Sequence, residues 1–202
     1  MKALDFNLAR NLEFDFERGQ ALFKDSRYVI FDSNAIGLLR QNLIEELGEE
    51  HARRFFLRFG FEHGYSDFMQ VKINYEFDDE KELLASGPVI HTWEGIVKAI
   101  PDEIRIDKEK GEFFFTGTWI NSYEAQQHLS FNPTSQKPVC WSLMGYATGW
   151  CTAFFGKLAI AIEPTCKGMG DDNCAWKIQT AEMWGTEADE YIKIYSKILL
   201  GK

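Results

Sequence analysis

The stretch of sequence that decides the fold is LAIAIEPTCKGMGDDNCAWKIQT, residues 158–180. It consists of two strand-like runs joined by a short connection that contains Gly168 and Gly170. Glycine readily adopts the positive φ angles that fold a connection back on itself. We therefore predict an antiparallel hairpin in this segment.

The connection of this hairpin also carries side chains that bind metals. Cys166 and Cys174 lie at its two ends, and Glu163 precedes the first cysteine by three residues. Folding the connection back would bring two thiolates and one carboxylate together, and zinc takes four such ligands in a tetrahedron. Cys140 is the better candidate for the fourth ligand and Cys151 is its competitor, since both lie on the preceding predicted helix.

Core cysteines are the alternative interpretation of this pattern, because free cysteine is commonly buried and no tight C-x-x-C pair is present. Spacing alone leaves both interpretations open. Four protein ligands would leave no coordination position for catalysis, so a zinc ion held in this way would be structural. Its binding energy, on the order of 10–16 kcal/mol, would also be folding energy.

Other elements are predicted on both sides of the hairpin. Residues 138–156 form a buried helix with small residues along one side, and residues 187–200 form an amphipathic terminal helix. Residues 103–122 alternate in the manner of a second hairpin that turns at residues 108–111. A short helix follows at residues 123–128.

The N-terminal half is largely helical in its patterning. Apolar residues recur at helical spacing from Ile36 to Leu47, and Gly48 ends that helix. A second helix begins near Glu49, and Gly60 and Gly64 within it predict close helix packing or a kink. Its charged face is interpreted as solvated and consists of Glu50, Arg53, Arg54 and Arg58.

Residues 78–84 predict a further helix, which Ser86-Gly87-Pro88 would stop, whereas residues 89–100 fit a helix and a strand equally well. Residues 1–19 form an arm whose apolar side chains must pack on a partner subunit or on their own domain. Residues 21–32 predict a short hairpin with its turn at Asp25-Ser26. Strands flanked by helical blocks, without βαβ alternation, predict an α+β fold in which an antiparallel sheet packs with helices.

Composition narrows the functional classes. The net charge of −9 would repel a phosphate backbone, so we expect no direct contact with nucleic acid. The N-terminus lacks the apolar region of a signal peptide, and no run approaches 18 apolar residues, so we expect a cytoplasmic chain without membrane spans. Thiols stay reduced in that compartment, which favours metal ligation over disulfides for the four cysteines.

Several motifs together resemble a known family. The run C-x-G-x-G-D-D-x-C at residues 166–174, followed by TAEMWG at residues 180–185, is similar to the 4-vinyl-reductase-like domain. Four further segments resemble the N-terminal sensor domain of aromatic-responsive, sigma-54-dependent transcription activators, the MopR/DmpR/XylR group. These are FFLRFGFEHG (55–64), SGPVIHTWEGIVK (86–98), WINSYEA (119–125) and PVCWSLMGYATGWCTAFFG (138–156).

The resemblance covers about residues 20 to 185 and carries specific implications. Sensors of this group bind a small aromatic effector, contain a structural zinc ion, form dimers and repress an ATPase domain further along the chain. Carried over to this sequence, the zinc ligands are Cys140, Glu163, Cys166 and Cys174. This choice of Cys140 over Cys151 comes from the resemblance, and it implies a zinc-stapled C-terminal hairpin.

The resemblance also divides the chain into three parts. Residues 1–32 would be an arm and hairpin used in dimerisation, residues 33–135 would form the effector pocket, and residues 136–202 would be the zinc-binding region with the terminal helix. Nothing in the 202 residues resembles a Walker A motif. The ATPase domain would therefore belong to a longer chain.

In the phenol sensors of this group a histidine and a tryptophan bind the phenol hydroxyl, and the matching residues are His91 and Trp119. Neutral imidazole accepts a proton and an indole N–H donates one, which complements a hydroxyl group. By themselves both residues would be interpreted as core. Gly117 replaces a bulkier residue of some relatives and predicts a larger pocket, and Met169 replaces a cysteine but is not needed as a ligand.

Two other functional classes remain alternatives to a phenol sensor. One is a sensor for a non-hydroxylated aromatic hydrocarbon, and the other is a small-molecule enzyme associated with a reductase. An enzyme would need a cofactor site or an open metal position, and no G-x-G-x-x-G follows a predicted strand. A dimerisation module with a filled core is a third interpretation. We therefore predict a sensor domain that is not an enzyme.

Overall fold

The computed structural model describes residues 1–24 and 26–199. Its helices are α1 (Leu8–Asn11), α2 (Ser33–Leu47), α3 (Glu49–Asn74), α4 (Glu80–Trp93), α5 (Tyr123–Phe131), α6 (Trp141–Phe155), α7 (Ala181–Trp184) and α8 (Asp189–Leu199). Its strands are β1 (Leu12–Asp15), β2 (Gln20–Phe23), β3 (Ser26–Tyr28), β4 (Lys98–Asp107), β5 (Glu112–Ile120), β6 (Ala159–Thr165) and β7 (Cys174–Thr180).

Two antiparallel sheets confirm the α+β fold class. The small N-terminal sheet has the order β1-β2-β3, and the central sheet has the order β4-β5-β7-β6. Both predicted hairpins are present in the central sheet, as the β4-β5 pair and the β6-β7 pair. On β5 the side chains alternate, so that Phe113, Phe115 and Trp119 are buried on one face.

Helices α3 and α6 cross at a contact made of glycines. A Cβ atom added at Gly60, Gly64, Gly145 or Gly149 would overlap the backbone of the facing helix. The absence of side chains lets the two backbones approach, which buries the aromatic residues on either side of the crossing. The prediction of close packing at Gly60 and Gly64 is therefore confirmed.

Helix α4 differs from the sequence prediction because it continues through Ser86, Gly87 and Pro88 to Trp93. Proline lacks an N–H, so the carbonyl of the residue four positions earlier, Leu84, loses its helical donor. The indole Nε1–H of Trp150 donates to that carbonyl at 3.1 Å instead. A contact from α6 thus replaces the missing backbone hydrogen bond and allows the helix to continue.

The charged face of α3 also differs from the prediction, since Arg53 is buried rather than solvated. Its guanidinium group forms ion pairs with Glu50 on the same helix and with Glu190 on α8. The guanidinium carbon also lies 5.6 Å from the ring centre of Tyr191. The terminal helix is confirmed at Asp189–Leu199, and the predicted last residue, Leu200, lies outside the described residues.

The N-terminal arm packs partly on its own domain. Phe6 and Leu8 are buried, and the indole Nε1 of Trp93 donates to the carbonyl of Phe6 at 3.1 Å. In contrast, the Phe16 side chain is 90% exposed. The predicted 21–32 hairpin is observed as β2 and β3, while the Asp25 half of its predicted turn lies outside the described residues.

No helix within residues 1–24 and 26–199 is long and apolar enough to span a membrane.

Candidate metal centre and adjoining cavity

Four buried metal-binding side chains meet at the C-terminal hairpin. They are Cys140 at the start of α6, Glu163 on β6, Cys166 at the end of β6 and Cys174 at the start of β7. One ligand atom of each lies within 4.8 Å of all the others. The structure thus brings together the four residues implied by the resemblance, in a cluster whose composition suits a metal ion.

The sulfur positions fit a tetrahedral zinc ion. The Sγ atom of Cys140 lies 3.9 Å from that of Cys166 and 3.8 Å from that of Cys174. A tetrahedron with Zn–S bonds of about 2.3 Å separates its sulfur atoms by roughly 3.8 Å. Disulfides have S–S distances of about 2 Å, and these cysteines are unpaired within the described chain.

Glu163 supplies the oxygen donor of the cluster. Its Oε2 atom accepts a long hydrogen bond, 3.4 Å, from the backbone N–H of Cys140, whereas its buried Oε1 atom has no hydrogen-bond partner among the described residues. Burial, together with the nearby Cys166, raises the pKa of Glu163 to about 9. Because a buried anion is costly without a counter-charge, a divalent cation would favour the ionised form of this carboxyl group.

The loop between the two hairpin strands is folded tightly around Cys166. Gly170 has φ +97°, which strongly favours glycine, and the side chain of Asp171 accepts a hydrogen bond from the backbone N–H of Cys166 at 2.8 Å. The backbone N–H of Lys167 points to the sulfur of Cys174 at 3.3 Å. The glycine and aspartate pattern in the sequence therefore holds the two cysteines side by side.

A buried ion pair positions Cys140. Arg40 on α2 donates to the carbonyl of Val139 at 2.7 Å and pairs with Glu124 on α5 at 3.2 Å. The other carboxylate oxygen of Glu124 accepts from the backbone N–H of Leu143 at 3.1 Å. The two charged side chains thus hold the chain on both sides of Cys140 at the start of α6.

Cys151 lies apart from this cluster and lines a cavity between α4, α6 and the central sheet. The cavity measures about 30 Å³, and its wall is mostly apolar. The lining residues are Gly87, Pro88, His91, Ala99, Phe115, Trp119, Tyr146, Ala147, Trp150, Cys151, Trp176 and Ile178. The two residues that the resemblance assigned to effector binding, His91 and Trp119, therefore share one cavity.

His91 lies in the last turn of α4 and is 4% exposed. Its ring stacks on Tyr146 with 3.8 Å between the ring centres. Burial lowers the pKa of His91 to about 3, and the nearby His63 adds to this effect. The imidazole is therefore neutral at physiological pH, and a neutral imidazole keeps one ring nitrogen as a hydrogen-bond acceptor.

Trp119 lies on β5 opposite this histidine-bearing helix end, and its ring centre is 6.2 Å from that of Trp176 on β7. Trp176 pairs with Gly117 across the two strands, and a Cβ atom added at Gly117 would overlap the indole. The larger pocket expected from Gly117 is thus not observed, because Trp176 fills that space. The buried Nε1–H of Trp176 has no partner among the residues described.

Sequence reasoning missed the ring residues of α6, Tyr146 and Trp150, and missed Trp176 on β7. The spacing of Tyr146 and Trp150 by four residues places both on one face of a helix. Because their segment is apolar on every side, that spacing could not show which face borders a cavity. The alternation along residues 174–180 likewise gives the inward side of β7 but not what lies opposite.

Comparison with known proteins now identifies the family. Residues 7–107, half of the chain, match the family described as activator of aromatic catabolism, and residues 119–180 match the 4-vinyl-reductase-like domain. The chain belongs to the family of activators of aromatic catabolism. Membership accounts for the joint presence of an apolar cavity and a cysteine cluster in one small fold.

Three members illustrate the relationship. The phenol regulator MopR of Acinetobacter guillouiae is 32% identical over 94% of this chain, and the transcriptional regulatory protein XylR of Pseudomonas putida is 30% identical over 89%. The chain spans only about a third of the length of these curated relatives, 34% and 32%. A crystal structure of the phenol-responsive sensory domain of the transcription activator PoxR with phenol superposes with a TM-score of 0.89. That pair is 32% identical, and the match covers 96% of this chain and 95% of the other.

Proposed function

We propose that this chain is the ligand-sensing domain of a transcription activator and that it binds phenol or a substituted phenol. The observation that carries the proposal is the pair formed by His91 and Trp119, a hydrogen-bond acceptor and a donor that border one buried apolar cavity. The similarity to the phenol regulator MopR and to the phenol-responsive domain of PoxR supports the same effector class.

Recognition of the hydroxyl group follows from the chemistry of these two side chains. The neutral imidazole of His91 accepts the phenol proton, and the indole N–H of Trp119 donates to the phenol oxygen. The aromatic and aliphatic wall contributes by burying the ring. An effector without the hydroxyl group would leave both polar groups unpaired, at a cost of about 1–3 kcal/mol each.

Effector entry requires the cavity to expand. Its volume of about 30 Å³ is smaller than the roughly 150 Å³ of an apolar cavity that accommodates benzene. Stacked rings such as those of Tyr146 and Trp176 would therefore move apart when phenol binds. A ligand that requires such a movement favours one packing of the domain over another, which is the basis of a sensor.

We further propose that Cys140, Glu163, Cys166 and Cys174 hold a structural zinc ion. The sulfur distances and the thiolate-rich ligand set support zinc over harder cations. When bound, zinc would cross-link the start of α6 to both strands of the C-terminal hairpin. Because the four side chains complete a tetrahedron, no position is left for substrate, and we infer that the domain is not an enzyme.

In a full-length chain the effector would relieve repression of a downstream ATPase domain. We propose that residues 33–135 supply the effector pocket and that residues 136–202 carry the zinc region and the terminal helix toward that domain. As part of a transcription regulator the chain would act in the cytoplasm. Its acidic surface supports the view that other domains contact the DNA.

We propose a homodimer in which residues 1–32 take part. This region exposes an unusual number of large apolar side chains for a surface segment, namely Leu4, Phe14, Phe16, Val29, Ile30 and Phe31. Exposed apolar groups concentrated in one region are typical of an interface between subunits. Sedimentation of the chain with and without residues 1–32 tests this part of the proposal, and an unchanged dimer in the shortened chain would contradict it.

The deciding experiment is a calorimetric titration of the purified domain with phenol, with toluene as the control and the zinc content measured on the same sample. Saturable phenol binding, much weaker toluene binding and one zinc ion per chain are expected. Equal affinity for the two compounds would instead support a hydrocarbon sensor. Zinc without binding of either compound would contradict the effector proposal while leaving the metal proposal intact.

A further inference from the structure

A second group of metal-binding side chains lies on the opposite side of Tyr146 from His91. His63 and Asp67 are one helical turn apart on α3, and Glu94 immediately follows α4. The Nε2 atom of His63 is 3.3 Å from a carboxylate oxygen of Asp67 and 3.7 Å from one of Glu94. One ligand atom from each of the three residues lies within 4.8 Å of the other two.

The negative charge of this group is poorly compensated. The Glu94 side chain is only 8% exposed, and its Oε2 atom is buried without a hydrogen-bond partner among the described residues. Within residues 1–24 and 26–199, no lysine or arginine forms an ion pair with either Asp67 or Glu94. Burial raises the pKa of both carboxyl groups, and for Glu94 the proximity of Asp67 raises it further.

We propose that His63, Asp67 and Glu94 form a second cation site, separate from the cysteine cluster, that binds a divalent ion such as Mn²⁺ or Zn²⁺. One imidazole and two carboxylates are a ligand set for divalent ions of intermediate hardness. Separations of 3.3 and 3.7 Å match the distances between ligands that each lie about 2.1 Å from a common ion. The His63 side chain is 34% exposed, which leaves one side open for water ligands.

The placement of this site gives it access to the effector cavity. The hydroxyl of Tyr146 donates to the Asp67 carboxylate at 3.1 Å, while the same ring stacks on His91. His63 also packs edge-on against Tyr146, with 5.1 Å between ring centres. A cation held by Asp67 would therefore act on a ring that forms part of the cavity wall.

The rival explanation is a metal-free cluster in which the histidine and a shared proton stabilise the two carboxylates. The two explanations differ in their response to added metal, because only a true site binds one ion saturably. Mn²⁺ is the first probe, since it has low affinity for thiolates and leaves a metal in the cysteine cluster undisturbed. Zn²⁺, counted beyond the first equivalent, is the second probe.

The experiment is a titration of the protein as purified, with any metal in the cysteine cluster left in place, followed by electron paramagnetic resonance of Mn²⁺. We expect one saturable equivalent whose spin-echo spectrum contains coupling to one imidazole nitrogen. Glu94→Gln and His63→Gln should each weaken binding at least about tenfold, and His63→Gln should remove the nitrogen coupling. His51→Gln, an exposed histidine on the same helix, and Glu46→Gln are the matched controls and should bind as the wild type does.

The spectrum of the unmodified protein keeps the test valid if a variant fails to fold. Absence of a saturable equivalent for both Mn²⁺ and a second Zn²⁺ would overturn the proposal, as would bound Mn²⁺ without nitrogen coupling. Unchanged affinity in folded Glu94→Gln protein would overturn it as well. None of these outcomes depends on phenol binding, so the test is independent of the proposed sensor function.

Discussion

Trp119 on β5 and Cys174 on β7 lie directly opposite each other in the central sheet. The first residue lines the apolar cavity, and the second belongs to the cysteine cluster. One pair of adjacent strands therefore joins the two functional regions through backbone hydrogen bonds. A displacement of Trp119 by an effector would act on a hairpin that the metal cross-links, which makes the metal cluster a rigid support for the cavity wall.

The metal ligands are tested by cysteine replacement. Cys166→Ser and Cys140→Ser should each abolish stoichiometric zinc and strongly lower the thermal midpoint, because structural zinc contributes on the order of 10 kcal/mol or more to folding. Cys151→Ser is the matched control, since Cys151 is equally buried but lies at the cavity. Metal analysis and thermal unfolding provide the readout. Zinc loss in Cys151→Ser with retention in Cys140→Ser would reverse the assignment.

The role of His91 is tested by removal of its acceptor. His91→Ala should weaken phenol binding about 5- to 150-fold, which corresponds to the roughly 1–3 kcal/mol of an unpaired buried polar group. Toluene binding should not be weakened, since toluene has no hydroxyl group to pair. Calorimetry on the domain and induction by phenol in a full-length chain give two measurements. A variant that retains wild-type phenol affinity would remove His91 from the binding site, and exposed His51→Ala serves as the control.

Trp176 should control the size of the accepted effector. Its indole fills the space above Gly117, so Trp176→Leu should enlarge the cavity and shift the preference from phenol toward dimethylphenols. Trp184→Leu is the control, because Trp184 is also a buried indole but does not line the cavity. The ratio of the two dissociation constants is the quantity to compare. An unchanged ratio in Trp176→Leu would show that this ring does not limit effector size.

Acid should destabilise the fold partly through His91. Its pKa is about 3 in the folded protein and about 6.5 when unfolded, so its stabilising contribution is complete above pH 6.5 and is lost as the pH falls toward 3. Between pH 7 and pH 5 this loss amounts to about 2 kcal/mol of unfolding free energy. His91→Phe should lack that part of the pH dependence. Denaturant unfolding at both pH values measures it, and identical slopes for the two proteins would contradict a neutral buried His91.

The glycine crossing of α3 and α6 predicts an unusual response to alanine. In most helices Gly→Ala stabilises by about 0.5–1 kcal/mol, but a Cβ atom at Gly64 would overlap the backbone of Tyr146. Gly64→Ala should therefore destabilise by about 1–3 kcal/mol. Gly37→Ala on α2 is the control, because its Cβ atom would meet only the movable side chain of Gln127. Equal thermal midpoints for the two variants would argue against a tight crossing.

Local patterns were sufficient for several parts of the structure. Alternating residues and turn residues predicted both hairpins of the central sheet, and the glycine and aspartate spacing predicted that Cys166 and Cys174 would lie close together. These features depend on residues that are neighbours in the chain, so the sequence contains all the information they need. The assignment of His91 and Trp119 came from family resemblance, and it remains a proposal although the two residues share a cavity.

Contacts between distant segments decided the rest. Helix α4 continues through Pro88 because Trp150, 62 residues later, donates to the carbonyl that proline leaves unpaired. Arg53 is buried because Glu190 and Tyr191 of the terminal helix cover it. No periodicity within either segment contains this information, since the partner group comes from elsewhere in the fold.

The sequence by itself thus determined the fold class, the two central hairpins and three of the four clustered metal-binding side chains, all of which follow from backbone preferences and local spacing. The tertiary structure alone decided that Cys140 joins that cluster while Cys151 faces the cavity, and that Trp176 occupies the space above Gly117. It also brought Glu94 to His63 and Asp67. The physical reason is that side-chain packing and burial depend on which surfaces meet when helices and sheet assemble, and those surfaces are distant along the chain.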